Sequence, residues 1–262
     1  DPSQFFPLLE SLGIPYPEIS LQHSENSEGW LIKQIGGAGG THIHNRSHSG
    51  ISAEGYYFQE IIHGCPMSLV FIANGIETQV LGINETWARA PDEDDYNYAG
   101  AITEPQLDKS LVASLEEIVH LLVQQLQLVG LCGLDVIVDD DNQFYVLEIN
   151  PRPTATFELH EQDKSLFYAH LLACQGQLLP LSDTPAECSG HEVIYADADL
   201  NIPQLTWPKW VVDYPSAGDQ IATDGPICTI LAAARTTGGV REMLEWRKAA
   251  IYKQLGFHKV AA

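Results

Sequence analysis

Between positions 106 and 129 the apolar residues Leu107, Leu111, Leu115, Ile118, Leu122 and Leu126 recur at three- or four-residue steps. That period lays one apolar stripe along a helix, so the spacing predicts an amphipathic helix over 106–129. Further helices are expected at 165–175, with Gly176 placed to end it, and at roughly 240–255. Residues 3–12 read as a short helix with Ser3 as N-cap, stopped by Gly13, Pro15 and Pro17. Strand-forming runs occupy 30–35, 41–44, 56–62, 68–73 and 77–83, the last two joined by the hairpin signal Asn74-Gly75. Residues 134–150 read as a β-hairpin. The acidic, turn-rich stretch 90–105 reads as a surface excursion. Beyond His191 the pattern changes to short strands broken by Pro203, Pro208, Pro215, Gly218 and Gly225. The expected class is α+β, with residues 186–262 forming a small β-rich region that ends in a helix.

The chain has 262 residues, room for one large domain or two small ones. Apolar residues are 45% and charged ones 18%, enough for a sizeable core. Thirteen Lys and Arg face 35 Asp and Glu, a formal net charge of -22. Such a field repels phosphate backbones and anionic lipid, which argues against nucleic-acid and membrane-surface roles. Any anionic ligand therefore needs a local exception, a rare cation beside backbone donors. Five widely spaced cysteines without a C-x-x-C pair read as buried thiols in a reducing compartment. With no spanning segment and no signal-peptide pattern, a soluble cytoplasmic protein is expected.

The hairpin carries the first candidate chemistry. Asp140, Asp141 and Asn142 supply turn residues. A four-residue loop over 140–143 would pair Asp139 with Phe144, Ile137 with Val146 and Asp135 with Glu148, with Asn150 on the face of Glu148. A three- or five-residue loop would shift that register and separate the acids. Two carboxylates about 5 Å apart repel by roughly 3 kcal/mol at an effective dielectric near 20. A divalent cation turns that liability into a site, and two carboxylates with an amide oxygen suit Mg²⁺ or Mn²⁺ held jointly with phosphates. A solvated hairpin with its acids in water is the alternative.

A second feature is Lys33, set in an apolar strand that feeds Gly36-Gly37-Ala38-Gly39-Gly40. Glycines let backbone N–H groups approach oxygens closely, the usual way a chain cradles phosphate. The loop is neither a Walker A sequence nor G-x-G-x-x-G. A lysine on an apolar strand needs an anionic partner, a phosphate or a carboxylate.

Taken in order, the lysine strand, the glycine loop, the segment Gln59-Glu60-Ile61-Ile62, then Asp135, Glu148 thirteen positions later and Asn150 two beyond, resemble the ATP-grasp superfamily. That superfamily includes biotin carboxylase, carbamoyl-phosphate synthetase and D-alanine–D-alanine ligase. The resemblance covers about residues 1–176 and lies nearest to predicted ATP-dependent carboligases related to biotin carboxylase. It implies an ATP-grasp domain over 1–185, with a first subdomain at about 17–58 and a second at about 59–185 clasping ATP. It further implies an ATP- and Mg²⁺-dependent ligase that phosphorylates a carboxylate to an acyl phosphate and couples it to an amine or similar nucleophile. Bicarbonate as the activated acid, and a non-catalytic ATP-binding module, are the alternatives. Small-molecule acid and nucleophile would be the partners, in a homodimer.

Carried over residue by residue, Lys33 would hold the α- and β-phosphates, and Gly36, Gly37, Gly39 and Gly40 would form a lid over the γ-phosphate. Gln59 would face the adenine amino group, with the backbone of Glu60 and Ile62 along the ring edge. Asp135, Glu148 and Asn150 would bind Mg²⁺ or Mn²⁺, Glu148 bridging two ions. Arg152 would face the transferring phosphoryl group or a small acid. Cys65-Pro66-Met67 stands where the family often has a ribose-binding carboxylate. Asp1-Pro2-Ser3-Gln4 holds no second nucleotide-binding lysine, and the family's N-terminal α/β domain is not seen.

His42, His44 and His48 follow the glycine loop and read as solvated lid histidines, with phosphate or transition-metal contact as alternatives. Glu158 and His160 could line the acceptor site or cap a loop. Trp207-Pro-Lys-Trp210 reads as packing in the C-terminal region rather than a stacking platform.

Overall fold

The computed structural model describes residues 1–22, 29–45, 55–90, 94–103, 107–161, 165–180 and 187–256. Helix α1 spans Pro2–Leu12 and is capped by Asp1, whose carboxylate accepts from the Ser3 N–H at 2.8 Å. Ser3 is therefore not the N-cap: the proline after Asp1 fits the first helical position, where an N–H would go unused. Gly13, left-handed at φ 68, ends the helix.

Strands β1 (Ile19–Ser20), β2 (Trp30–Gln34), β3 (Ile43–Asn45) and β4 (Tyr56–Glu60) form an antiparallel sheet in the order β1-β4-β2-β3. The larger sheet is built from β5 (Cys65–Asn74), β6 (Thr78–Ala90), β7 (Asp95–Thr103), β8 (Val129–Val138), β9 (Phe144–Asn150), β10 (Cys188–Tyr195), β12 (Val211–Val212) and β14 (Pro226–Ala234). Its order is β12-β14-β10-β7-β6-β5-β8-β9, antiparallel throughout. Strands β11 (Leu200–Asn201) and β13 (Gln220–Ile221) make a separate pair. Helix α2 (Lys109–Leu126), capped by Asp108, buries Leu111, Leu115, Ile118, Val119, Leu122 and Val123 in one cluster with Leu69, Phe71, Leu134 and Val136. The opposite side of the sheet carries α3 (Leu166–Ala173) and a 3-10 turn over Ala155–His160. Helix α4 (Thr237–Leu255) packs on β10 and β14.

The stretch expected as a surface excursion differs most. Residues 95–103 form β7, which pairs with β6 on one side and β10 on the other. Its turn-like composition is accommodated because Ala99, Gly100 and Ala101 are small enough for neighbours to lie across them: a Cβ on Gly100 would meet the Trp87 ring at 2.4 Å. Through β7, strands β10 and β14 of the C-terminal region continue the sheet that holds Asp135. Trp207 stacks on Tyr214 and Trp210 packs near Trp246, as packing rather than a ligand platform predicts. No described helix is long and apolar enough to cross a membrane.

Candidate active site

Lys33 is buried in the middle of the small sheet, opposite Tyr57 on β4. Its Nζ donates to Gln59 Oε1 at 3.0 Å, a diagonal pairing across β2 and β4. Gln59 is itself only 2% exposed, so the side chain assigned from resemblance to the adenine amino group is here engaged by the lysine. Burial pushes the ammonium down to about 8, while the carboxylates of Glu148 and Asp135 pull the other way. The small sheet thus buries a cation within the electrostatic reach of the carboxylates on β8 and β9. Glu60 is tied to the chain start, accepting from Glu18 N–H at 3.1 Å, and Ile62 follows the strand half-buried.

Asp135 and Glu148 face each other as expected, but by another route. The loop has five residues, 139–143, so Val138 pairs with Phe144 and Val136 with Val146. A bulge between Asp135 and Val136 leaves Leu147 without an opposite number and restores Asp135 against Glu148. The Asp139 side chain explains the longer loop, since its carboxylate accepts from Asp141 and Gln143 N–H groups at 3.0 and 2.8 Å. Asn142 adopts φ 59 in the same turn. Asn150 Nδ2 donates to Asp135 Oδ2 at 3.1 Å and to Glu148 Oε1 at 2.9 Å. Burial and the neighbouring Glu148 raise Asp135 to about 7.

These residues fit a hard divalent cation. Two crowded carboxylates, one with its pKa raised, gain from a charge of +2, and the Asn150 amide can present Oδ1 by exchanging ends. Among the described residues no group of three or more His, Cys, Asp or Glu gathers at a metal-ligand spacing, so the set is two carboxylates and an amide.

The glycine loop has Gly36, Gly39 and Gly40 at positive φ. Gly39 C=O accepts from Tyr98 N–H at 3.1 Å, and a Cβ on Gly40 would meet the Tyr96 carbonyl at 1.7 Å. The loop is thus seated against β7, a contact that sequence could not foresee. Gly37 lies over the His42 ring. His42 Nδ1 is buried without a hydrogen-bond partner, and His48 lies outside the described residues. Arg152 is exposed and, among the described residues, donates to the neighbouring Pro153 carbonyl at 3.2 Å alone, so the structure does not bring it into the cluster.

Near the site lie several polar residues that no sequence signal marks, Ser68, Asn84 and Tyr98, together with His160, expected at the acceptor site or as a loop cap. Ser68 stands directly opposite Asp135 across β5 and β8, on the same face of the sheet. Asn84 Nδ2 donates to the Ser68 carbonyl at 3.2 Å, and Asn84 Oδ1 lies 2.9 Å from His160 Nε2. His160 is held down to about 4 by burial. Tyr98 lies 2.6 Å from His191 Nε2. None of these carries a motif; a buried serine or asparagine is legible only once its neighbours are known. A cavity of about 470 Å³ sits on the other side of the sheet between β6, β7, β10 and α4. Its cations are engaged, Arg241 with Glu85, Lys248 with Glu192 and Arg89 with Asp95 and Asp224.

Comparison with known proteins bears on the family and the fold. The family model described as an ATP-grasp domain matches residues 3–156, more than half of the chain. N5-carboxyaminoimidazole ribonucleotide synthase of Staphylococcus aureus (strain MRSA252) is 35% identical over 83 residues, 31% of this chain and 22% of that protein. An L-amino acid ligase from Bacillus licheniformis superposes with a TM-score of 0.72 at 13% identity, over 93% of this chain and 70% of the other. The biotin carboxylase domain dimer of Hydrogenobacter thermophilus 2-oxoglutarate carboxylase, solved with MgADP and bicarbonate, gives 0.71 at 14% identity over 97% and 65%. At such identities the structural likeness speaks for the fold. The aligned stretch spans less than a quarter of the curated relative's length.

Proposed function

Because this chain belongs to the ATP-grasp family, we propose that it is an ATP-dependent ligase that activates a carboxylate as an acyl phosphate and joins it to an amine or similar nucleophile. The observation that carries this reading is the facing pair Asp135 and Glu148, tied by Asn150, within the electrostatic reach of buried Lys33. Lys33 would bind nucleotide phosphate, with Gln59 fixing the ammonium. Asp135, Glu148 and Asn150 would hold Mg²⁺ or Mn²⁺, which supplies charge neutralisation for phosphoryl transfer. The glycine loop seated on β7 would exclude water from the activated acid. Arg152, exposed on the segment after Asn150, would meet the carboxylate substrate from the solvent side. Residues 1–185 are read as the ATP-grasp body and 186–262 as a region that extends its sheet; a homodimer is the proposed assembly.

Bicarbonate as the acid has a specific observation behind it. The curated relative's name describes a carboxyl group joined to an amine nitrogen, and the Hydrogenobacter structure is described with bicarbonate. Both readings share nucleotide and cation chemistry and part only over the acid. The test is ADP and phosphate release from Mg-ATP across a panel of acids and amines, with bicarbonate as a separate arm. Glu148→Gln should abolish ADP formation in every arm. Wild-type protein that binds nucleotide yet releases no ADP with any pair would overturn catalysis and leave a binding module.

A further inference from the structure

On the sheet face that bears Asp135, the 3-10 turn over Ala155–His160 is seated in two notches. A Cβ on Gly82 would meet the His160 ring at 2.1 Å, and one on Gly133 would meet Thr154 Cγ2 at 2.6 Å. Both strand positions are glycine, so the turn lies directly on β6 and β8. This seat brings Thr156, 2% exposed, to Ser68, 3% exposed, with their hydroxyl oxygens 3.5 Å apart. Thr154 Oγ1 lies 3.0 Å from Thr156 Oγ1.

Proton counting fixes the direction of this chain. Each hydroxyl has one proton to donate. Ser68 is buried directly opposite Asp135, and an ionised carboxylate has no proton to give, so the Ser68 proton is the one free to serve Asp135. Ser68 must then accept from Thr156, and Thr156 from Thr154. Three hydroxyls therefore point their protons in one sense, toward Asp135, and each bond polarises the next. The Ser68 carbonyl is held in turn by fully buried Asn84, itself bound by His160. Buried polar groups are costly unless each is satisfied, which makes this connected set a specified arrangement.

We propose that Ser68 is the positioning residue of the cation site, and that its hydroxyl, backed by Thr156 and Thr154, fixes the Asp135 carboxylate and leaves its remaining lone pairs for the ion. The inference rests on the reading of Asp135, Glu148 and Asn150 as cation ligands and adds the outer groups that orient them. Such partners commonly change metal affinity 10- to 100-fold when removed. The hydroxyl chain also ties the segment after Asn150, which carries Arg152, to the ligand itself.

The test is Mn²⁺ titration of the nucleotide-free chain, read as free Mn²⁺ by electron paramagnetic resonance, with melting curves as a folding control. Ser68→Ala should bind Mn²⁺ about 10-fold more weakly than wild type while keeping a cooperative melt. Thr156→Val should weaken binding in the same sense. The double variant should be no weaker than Ser68→Ala, because the chain is already cut at Ser68. Thr154→Val gives an independent check if a buried variant fails to fold. Unchanged Mn²⁺ affinity in Ser68→Ala, beside loss in Asp135→Asn, would overturn the positioning role and leave the ligand reading intact. Fully additive losses in the double variant would also overturn it. Wild-type protein that takes up no Mn²⁺ would overturn the ligand reading itself, and this inference with it.

Discussion

Replacing Asp135 with asparagine should strengthen the metal-free fold while removing the response to metal. Asp135 and Glu148 are bridged by one amide nitrogen, at 3.1 and 2.9 Å, so their carboxylates lie near one another. At an effective dielectric near 20 and about 5 Å, two full charges repel by roughly 3 kcal/mol. Asp135 is raised to about 7, by burial first and by Glu148 second. The folded state holds this proton more tightly than the unfolded chain, so stability is greatest below the unfolded value and is lost as pH rises toward 7. Asparagine carries no charge at any pH. It keeps the acceptor for Ser68 but sets its amide against that of Asn150, at about 1 kcal/mol. The net gain at pH 8.5 in EDTA should be about 2 kcal/mol, read as a rise of about 4–8 °C in Tm. At pH 4 the gain should vanish, because Asp135 is then protonated in the wild type. Excess Mn²⁺ should raise the wild-type Tm and leave Asp135→Asn unmoved. A lower Tm for the variant at pH 8.5 in EDTA would refute the argument that these acids strain one another.

Lys33→Met should act in a similar way on the other side of the site. Burial lowers the lysine to about 8, so its charge costs stability at neutral pH and that cost disappears as pH rises from about 8 toward 10.5. The variant should melt higher than wild type at pH 7 and bind ADP at least 10-fold more weakly by calorimetry; unchanged ADP affinity would remove Lys33 from the phosphate site. Acid should expose the two buried histidines. Burial holds His160 and His191 down to about 4, so both are neutral when folded and charge on unfolding below about 6.5. Their contribution is present above that value and lost as pH falls to 4, and His160→Gln should flatten this part of a urea-denaturation series against pH.

The local parts of the site were legible in the order of residues. A lysine in an apolar run, glycines after it and acids on two strands joined by a turn are short-range patterns. Each stands within about twenty positions, where side-chain period and turn chemistry suffice. A four-residue loop is the one that sets Asp135 against Glu148 without a bulge. The real loop has five, and one bulge cancels the error. Asp139 could have given the loop away, since an aspartate that opens a turn accepts from the next N–H groups, but the bulge lies in the β8–β9 pairing and no residue there marks it.

What the chain determined alone was the set of charged and glycine positions, because those residues are costly to place anywhere else: a buried lysine needs an anion, and crowded acids need a cation. Tertiary structure decided the rest. It drew the turn-like residues 95–103 into the centre of a sheet, since small residues suit a strand crossed by Trp87 and approached by the glycine loop. It left Arg152 in solvent and gathered Thr154 and Thr156 at Ser68, the strand neighbour of Asp135. A hydroxyl has no preference readable along the chain; its partner is chosen by which strands and turns come together, a property of the whole packing.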